Sequence, residues 1–419
     1  MKIKVFEAFA GIGAQHKSIS WVNKQIKSEF EVVATSDWDI RAIISYASIH
    51  NGLSEAKIEK ICKNKFDSEA KIDEYLSQRI FSSNSKTPIK YIKRLPIKTK
   101  KALVVANSLN NNFPDINAVS GEVLDLHEID LLTYSFPCQG LSVANMGRSK
   151  GINDDSSTSH LVWQIGKILK QVKNKPKYLL LENVKNLVNQ YHAEYEQWKE
   201  ELKKLGYKTF TAVFNANDFG SLQKRERVFA ISVLKSIKTP FKNDDQYKEY
   251  LLSLGIKHKL TTLEQRKKEY HKIFDLNNKN LEELNNYLVN NTPSRVRMIK
   301  EGRNLNDLKF AHKNKYTINT LTTKQDRIPN VGYLNLKANN PKKLDYRFVS
   351  PRESYKIMGF EDKDFDKLKP FINSGILTKE ALWRQAGNSI DVNVLKRIFE
   401  AIWNIHVLNN KGDKNGEKK

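Results

Sequence analysis

The segment that most restricts the fold stands at the start of the chain. An apolar, strand-like run, Ile3-Lys4-Val5-Phe6-Glu7-Ala8-Phe9, stops at Ala10-Gly11-Ile12-Gly13 and gives way to a polar stretch holding Ile19, Val22 and Ile26 at helical spacing. A second strand signal, Glu31-Val32-Val33-Ala34-Thr35, follows and ends at Ser36-Asp37-Trp38. Strand, glycine turn, helix and strand open a βαβ unit, whose parallel strands bring ligand-binding groups to their carboxyl ends. Further strand signals at 129–135, 177–182, 209–214 and 227–232, with an amphipathic helix at 161–172, extend the alternation. The expectation is an α/β fold with an open, mostly parallel sheet covered by helices.

At 419 residues the chain is larger than one domain of roughly 100–200 residues, and its texture changes along its length. Residues 53–118 are rich in Lys and Asn and lack the apolar runs of buried parallel strands, so they read as an insertion. From 236 to 345, Lys/Asn-rich helical stretches at 264–274 and 281–289 give way to the β-branched run Thr317-Ile318-Asn319-Thr320-Leu321-Thr322-Thr323, which marks a second, smaller domain. Residues 346–408 regain globular patterning and close with an amphipathic helix at 392–405, returning the chain to the domain formed by 1–235. The polar stretch 409–419 is expected to be disordered.

Seventy-one Lys and Arg against 47 Asp and Glu give a net charge of +24, a field that attracts polyanions, be they DNA, RNA or an anionic membrane surface. A merely solubilising surface would look the same by charge alone. No apolar run approaches the ~18–20 residues needed to span a bilayer, and the first residues enter a strand rather than a signal peptide, so a cytoplasmic protein is expected. Two cysteines, Cys62 and Cys138, cannot build a disulfide framework or supply four zinc ligands, and no metal site is expected.

Several segments could carry chemistry. The turn Phe9-Ala10-Gly11-Ile12-Gly13 lets a ligand approach the backbone at a helix N-terminus, although it lacks the full GxGxxG spacing and a turn without ligand reads equally well. Asp37, closing the second strand, is placed for ribose hydroxyls, and Trp38 offers a face to an adenine ring. Ser135-Phe136-Pro137-Cys138-Gln139-Gly140-Leu141-Ser142 sets a cysteine directly after a strand in a polar loop, where a packed core thiol fits poorly. Glu182, in Leu180-Leu181-Glu182-Asn183-Val184, ends another apolar strand and suits a buried proton donor or, as readily, a helix cap or an ion-pair partner. Arg225 and Arg227 lie two apart and would share one face of an extended segment, a pair suited to an anionic ligand or an ordinary solvated charge run. Ala386-Gly387-Asn388-Ser389-Ile390 precedes the last helix with groups that could touch a cofactor or simply cap the helix.

In this order the segments resemble the sequence blocks of the DNA (cytosine-5)-methyltransferase family of bacterial restriction–modification systems. The matching blocks run from Phe6 to Gly13, through Pro137-Cys138-Gln139, Glu182-Asn183-Val184 and Gln223-Lys224-Arg225-Glu226-Arg227, to Arg347-Phe348-Val349-Ser350-Pro351-Arg352-Glu353 and Gly387-Asn388-Ser389. Phe6-Glu7-Ala8-Phe9-Ala10-Gly11-Ile12-Gly13-Ala14 and Thr133-Tyr134-Ser135-Phe136-Pro137-Cys138 look most like the mollicute enzymes. The resemblance covers roughly 1–50, 120–235 and 345–405, and leaves the two Lys/Asn-rich stretches unexplained.

The resemblance implies a Rossmann-like S-adenosylmethionine-dependent methyltransferase sheet with a smaller target-recognition domain at 236–345, whose end carries the Thr320-Leu321-Thr322-Thr323 element. It implies a cofactor site in which Phe9, Ala10, Gly11, Ile12 and Gly13 wrap the methionine part, Asp37 holds the ribose and Trp38 packs on the adenine, with Glu122, Pro137, Asn388 and Ser389 completing the site. Cys138 would add to C6 of cytosine, Glu182 would contact N3 and the exocyclic amine, and Arg225 would bind near O2. The target base would have to leave the duplex, with the loop from Gly140 toward Gly151 closing over it and mobile without DNA, and with Gln139, Ser142 and Arg227 on the DNA. The partners implied are double-stranded DNA, a monomeric enzyme, and a cognate endonuclease acting without a stable complex. Two rivals stand beside this reading: a tRNA cytosine-5 methyltransferase built from the same blocks, and a DNA-binding module without chemistry, which would have lost Cys138 or Glu182.

Overall fold

The computed structural model describes residues 2–141 and 150–410. Its main sheet has six strands: β1 (Ile3–Ala8), β2 (Phe30–Ser36), β3 (Leu131–Tyr134), β4 (Tyr178–Val184), β5 (Tyr207–Asn215) and, after the short β6 (Gln223–Lys224), β7 (Glu226–Leu234). They lie in the order β2-β1-β3-β4-β7-β5. β2, β1, β3 and β4 are parallel, and β7 runs antiparallel to β4, so the expected mostly parallel α/β sheet is present. Every residue of β3 is buried, as an apolar strand covered on both faces requires. Side chains two apart, Leu132 and Tyr134, Leu179 and Leu181, Val228 and Ala230, share one core with Ile165 and Leu169 of helix Val162–Gln171 and with Trp198 and Leu202 of helix His192–Lys204.

The described chain forms two compact units: Met1–Phe214, Glu226–Leu254 and Leu395–Lys419 in the first, Asn215–Arg225 and Gly255–Val394 in the second. This division falls elsewhere than the sequence-based one at 236 and 346. Residues 236–254 stay with the sheet because Tyr247, fully buried, meets the ring of Phe214 edge-on at 5.8 Å, and Asp244 accepts a bond from the amide of Thr211. Residues 346–394 belong to the second unit because Phe348 and Trp383 sit in its core with Tyr287 and Val289. Its strands are β8 (Leu288–Asn290), β9 (Ile318–Asn319), β10 (Tyr333–Asn335) and β11 (Lys343–Phe348); β10, β11 and β8 form an antiparallel sheet, and β6 pairs with β9. The final helix, Val392–Asn410, runs two residues into the stretch expected to be disordered: the Asn409 and Asn410 side-chain amides bond the carbonyls of Ile405 and His406. Residues 411–419 lie outside the described residues.

The stretch 53–118, read as an insertion, is tied to the sheet. Its helix Ile97–Leu109 is buried from Ala102 to Asn107, and Asn110 donates to the carbonyl of Ile43 at 3.0 Å. Asn112 then clamps the end of β2: its Oδ1 accepts from the Asp37 amide at 2.9 Å and from the Thr35 hydroxyl at 3.0 Å, while its Nδ2 donates to the Asp37 carbonyl at 2.9 Å.

Beneath the glycine turn lies a buried polar chain. The Tyr46 hydroxyl donates to Glu7 Oε2 at 2.9 Å, His16 Nδ1 meets the same hydroxyl at 2.9 Å, and His50, stacked on His16, bonds the Ile12 carbonyl at 3.0 Å. Burial pushes the Glu7 carboxyl up to about 8 and the His16 imidazole down to about 4. A carboxyl raised on folding holds its proton better in the native state, so its contribution is present at low pH and is lost as pH rises from about 4.5 toward 8. His16 acts in the opposite sense, but only below about 6.5. Between pH 6.5 and 8, stability is expected to fall by up to about 1.4 kcal/mol per pH unit in the wild type and to stay level in Glu7→Gln, read by urea unfolding; parallel pH profiles would refute this assignment.

In the second unit, a Cβ on Gly387 would lie 2.5 Å from the backbone of Thr322 and Thr323, so helix Lys379–Asn388 approaches the threonine–leucine element backbone to backbone. Gly387→Ala is expected to cost about 1–3 kcal/mol of stability as overpacking against a rigid neighbour, measured from the denaturation midpoint.

Candidate active site

The carboxyl ends of β1, β2, β3 and β4 gather the candidate residues of the first unit. After β1 the chain takes a left-handed backbone at Phe9 (φ 57°), Gly11 (φ 56°) and Gly13 (φ 75°). The two glycines do different work. A Cβ on Gly13 would strike His50 and Tyr46, so it allows close packing from below, whereas Gly11 has open space where a Cβ would stand. The loop is tied to β2 twice: Ala10 N donates to the Ser36 carbonyl at 3.1 Å and Gly11 N to Asp37 Oδ2 at 2.8 Å. Asp37 Oδ1 accepts from the Asp39 amide at 2.8 Å; burial, with Asp39 nearby, pushes the Asp37 carboxyl up to about 6.

This end of the sheet fits S-adenosylmethionine. Glu7 Oε1, Gln15 Oε1 and Thr133 Oγ1 are buried without a hydrogen-bond partner around the β1 turn, with Glu7 and Thr133 paired across β1 and β3. Buried polar atoms of this kind call for a hydrogen-bonding partner, which the ammonium and carboxylate groups of such a ligand supply. The open side of Gly11 leaves room for a chain, Asp37 offers a carboxylate to a ribose, and the Trp38 ring is half exposed. Glu122 sits exposed in the first turn of helix Gly121–Leu126. Asn388 and Ser389 belong to the second unit; Asn388 is exposed as the last residue of a helix rather than part of an open turn.

Cys138 lies in a loop pinned through its carbonyls. Asn183 Nδ2 donates to the Phe136 carbonyl at 3.0 Å, Ser159 Oγ to that of Pro137 at 2.6 Å, and Asn186 Nδ2 to that of Leu141 at 3.0 Å. Ser159 Oγ also accepts from the Gly140 amide, and a Cβ on Gly140 would overlap Ser157 Oγ, so only glycine fits there. Pinned in this way, Cys138 is half exposed, in contrast to the buried Cys62. Gln139 beside it is exposed, and Ser142, with residues 143–149 of the loop expected to close over a base, lies outside the described residues.

Glu182, on β4 beside β3, is 8% exposed, and its Oε1 lies 3.4 Å from Nε of Arg227. The two arginines, read from the sequence as a pair for an anionic ligand or as a solvated charge run, are engaged separately. Arg225, 3% exposed, donates to the carbonyls of Leu321, Gly387 and Ser389 at 3.0, 3.2 and 2.7 Å, all within the second unit. Arg225 lies in the break between β6 and β7, outside either strand. Arg225 is a strut within the second unit, and Arg227 is the cation paired with Glu182. Sequence reasoning missed Asn112, Ser159 and the Tyr46–His50 pair, which hold the site from behind. Among the described residues no cluster of His, Cys, Asp or Glu could hold a metal ion, and no helix is long and apolar enough to cross a membrane.

The chain has known relatives in sequence and in fold. The family described as C-5 cytosine-specific DNA methylase matches residues 97–404. The chain is 32% identical to the type II methyltransferase M2.ScrFI of Lactococcus lactis subsp. cremoris, over 96% of this chain and 99% of that one. It is also 32% identical to the orphan methyltransferase M.SssI of Spiroplasma monobiae, over 96% and 97%. Among solved structures, the S. pombe Dnmt2 methyltransferase aligns with a TM-score of 0.59 at 16% identity, covering 98% of this chain and all of that one, and so supports the fold. With the family match spanning most of its length and two relatives matching almost end to end, the chain belongs to the C-5 cytosine-specific DNA methylase family, whose methyl donor is S-adenosylmethionine.

Proposed function

We propose that the protein methylates C5 of one cytosine within a short DNA word through a covalent adduct on Cys138, as the modification enzyme of a restriction–modification system. The observation that carries this reading is the half-exposed Cys138 in its pinned loop after β3, with the Glu182–Arg227 pair on adjacent β4. Cytosine C5 is too weak a nucleophile to take a methyl group unaided. The Cys138 thiolate adds at C6, and the electrons displaced from the ring double bond make C5 nucleophilic. Glu182 contacts N3 and the exocyclic amine, and Arg227 is the residue placed to bind near O2, the role that resemblance alone gave to Arg225. S-adenosylmethionine, when bound, supplies an electrophilic methyl group. Loss of the C5 proton then re-forms the double bond and releases the Cys138 sulfur.

Neither the thiol nor the methyl donor reaches C5 inside a stacked duplex, so the base is turned out, at a cost of a few kcal/mol in stacking and pairing. The second unit, which holds most of the Lys/Asn-rich stretch 236–345, is assigned to reading the DNA word, and Arg225 braces it by fixing the carbonyl of Leu321 in the threonine–leucine element. Cofactor contacts of Glu122, Pro137, Asn388 and Ser389, and DNA contacts of Gln139 and Ser142, belong to the same proposal. One chain carries every block, so a monomer is the working form, with any cognate endonuclease a separate protein.

Bisulfite sequencing of a plasmid incubated with the protein and S-adenosylmethionine is expected to show protected cytosines in one short context, and none with Cys138→Ser. Absence of protection on DNA by folded, cofactor-binding protein would overturn the DNA assignment and make tRNA the substrate to test. The arginines separate by a second measurement. Arg227→Ala is expected to lower kcat by about 10²–10³-fold with little change in the denaturation midpoint. Arg225→Ala, which strips buried carbonyls of their donor, is expected to cost about 1–3 kcal/mol or more in stability. The reverse pattern would return the O2 role to Arg225.

A further inference from the structure

The first unit carries a cationic strap that the methyl-transfer site does not use. Between Glu74 and Asp115 the sequence has no Asp or Glu, yet Lys86, Lys90, Lys93, Arg94 and Lys98 stand exposed along it. None of these five makes an ion pair among the described residues. Of the acidic side chains that precede the strap, Glu69 and Asp73 hold the buried Lys100, Asp67 pairs with Lys71, and Glu59 with Lys101. The strap thus carries five exposed cations and no carboxylate, while four of the carboxylates before it are taken up by other lysines. A solvated surface gains nothing from such an arrangement, whereas a polyanion partner does.

The strap is also held rigidly. Ser82 N donates to the Trp38 carbonyl at 2.7 Å and Ile40 N to the Ser82 carbonyl at 2.9 Å, so the segment hangs on the chain just after β2. Ile89 N closes the loop onto the Phe81 carbonyl at 2.7 Å, and Asn84 Oδ1 receives the amides of Lys86 and Thr87 at 2.8 and 3.0 Å. Further along, the Lys100 ammonium bonds the Lys93 carbonyl at 3.3 Å. Tyr91, 61% exposed, lies under the Arg94 guanidinium at 4.4 Å, an aromatic ring left on the surface among cations. The anchor at Trp38 sits at the carboxyl end of β2, the same end of the parallel strands that carries the Cys138 loop after β3. In the order β2-β1-β3 those two strands are about 10 Å apart.

We propose that residues 86–98 form a second DNA contact, gripping backbone phosphates of the duplex that flanks the methylated word. This inference rests on the DNA reading above and adds a partner surface outside the stretch matched by the family, most of it preceding residue 97. Cations without an ion-pair partner, on a hydrogen-bonded backbone, can release counterions from DNA with no backbone segment to order first.

The test compares the full-length wild type with a Lys86→Ala/Lys90→Ala/Lys93→Ala variant. Affinity is measured by fluorescence anisotropy across a salt series, on a duplex that ends close to the methylated word and on one with long flanks. The wild type is expected to favour the long duplex. The variant is expected to lose that preference, and its log Kd against log salt should be shallower by about 2–3, roughly 0.9 for each phosphate contact removed. Its kcat at saturating DNA should stay at the wild-type value, and a triple Lys→Arg variant should restore slope and preference. Wild-type methylation of DNA combined with an unchanged salt slope and length preference in the alanine variant would overturn the strap while leaving the function intact. Failure of the wild type itself to methylate DNA would remove the reading on which the strap depends.

Discussion

The contact on which the cofactor end of the molecule depends is the 2.8 Å bond from the Gly11 amide to the Asp37 carboxylate. It joins the turn after β1 to the end of β2 and so fixes the distance between the open side of Gly11 and the Asp37 carboxylate. The bond costs something at each end: Phe9 sits in the left-handed region, which disfavours a bulky side chain, and Asp37 is held in surroundings that push its carboxyl up to about 6. Both costs are met by neighbours rather than by the loop. Asn112 takes the amide and carbonyl of Asp37, and His50 takes the carbonyl of Ile12, so the turn is preorganised before any ligand arrives.

The same logic explains the Cys138 loop. A loop at the end of a buried strand would carry unpaired carbonyls, and a nucleophile on such a loop would be poorly aimed. Here the side chains of Asn183, Ser159 and Asn186 satisfy the carbonyls of Phe136 and Pro137 before the thiol and of Leu141 after it. Asn183 follows Glu182 directly on β4, so one strand end supplies both the carboxylate and the peg that locates the cysteine. That economy ties the two groups to one element, and a shift of β4 relative to β3 would misplace them together.

What the sequence made legible follows from range. The β1 turn, the strands and the Cys138 and Glu182 positions were readable because a period of two and a glycine turn are local signals. Asn112 was not: it stands in Asn110-Asn111-Asn112, inside a Lys/Asn-rich stretch, and its partners Thr35 and Asp37 are more than seventy residues away. The two arginines were misread for a related reason. Spacing of two puts side chains on one face only while a strand continues, and the strand is broken at Arg225, which is drawn instead to the carbonyls of Leu321, Gly387 and Ser389. Likewise, residues 346–394 look globular either way, and only the burial of Phe348 and Trp383 with Tyr287 shows which core they serve.

The buried pair Arg347–Glu353 shows how a block common to a family can be structural while standing beside functional ones. The guanidinium and carboxylate meet twice, at 2.8 and 2.9 Å, with Arg347 fully buried. An isolated buried pair gains little after desolvation, so its value lies in what else it holds. Glu353 also takes the amides of Ser350 and Asp275, and Arg347 donates to the carbonyl of Asp275, which welds the start of helix Pro351–Ile357 to a chain segment over seventy residues earlier. The Trp383 indole, bonded to the Val349 carbonyl, brings the helix that ends at Gly387-Asn388 into the same arrangement. The position of the threonine–leucine element is therefore set through a chain of buried polar contacts, from Arg347 through Val349 and Trp383 to Gly387 and Arg225, each satisfied by backbone as well as by side chain. Such contacts have few alternative partners of the right geometry. They specify one arrangement of this unit more sharply than added apolar area would.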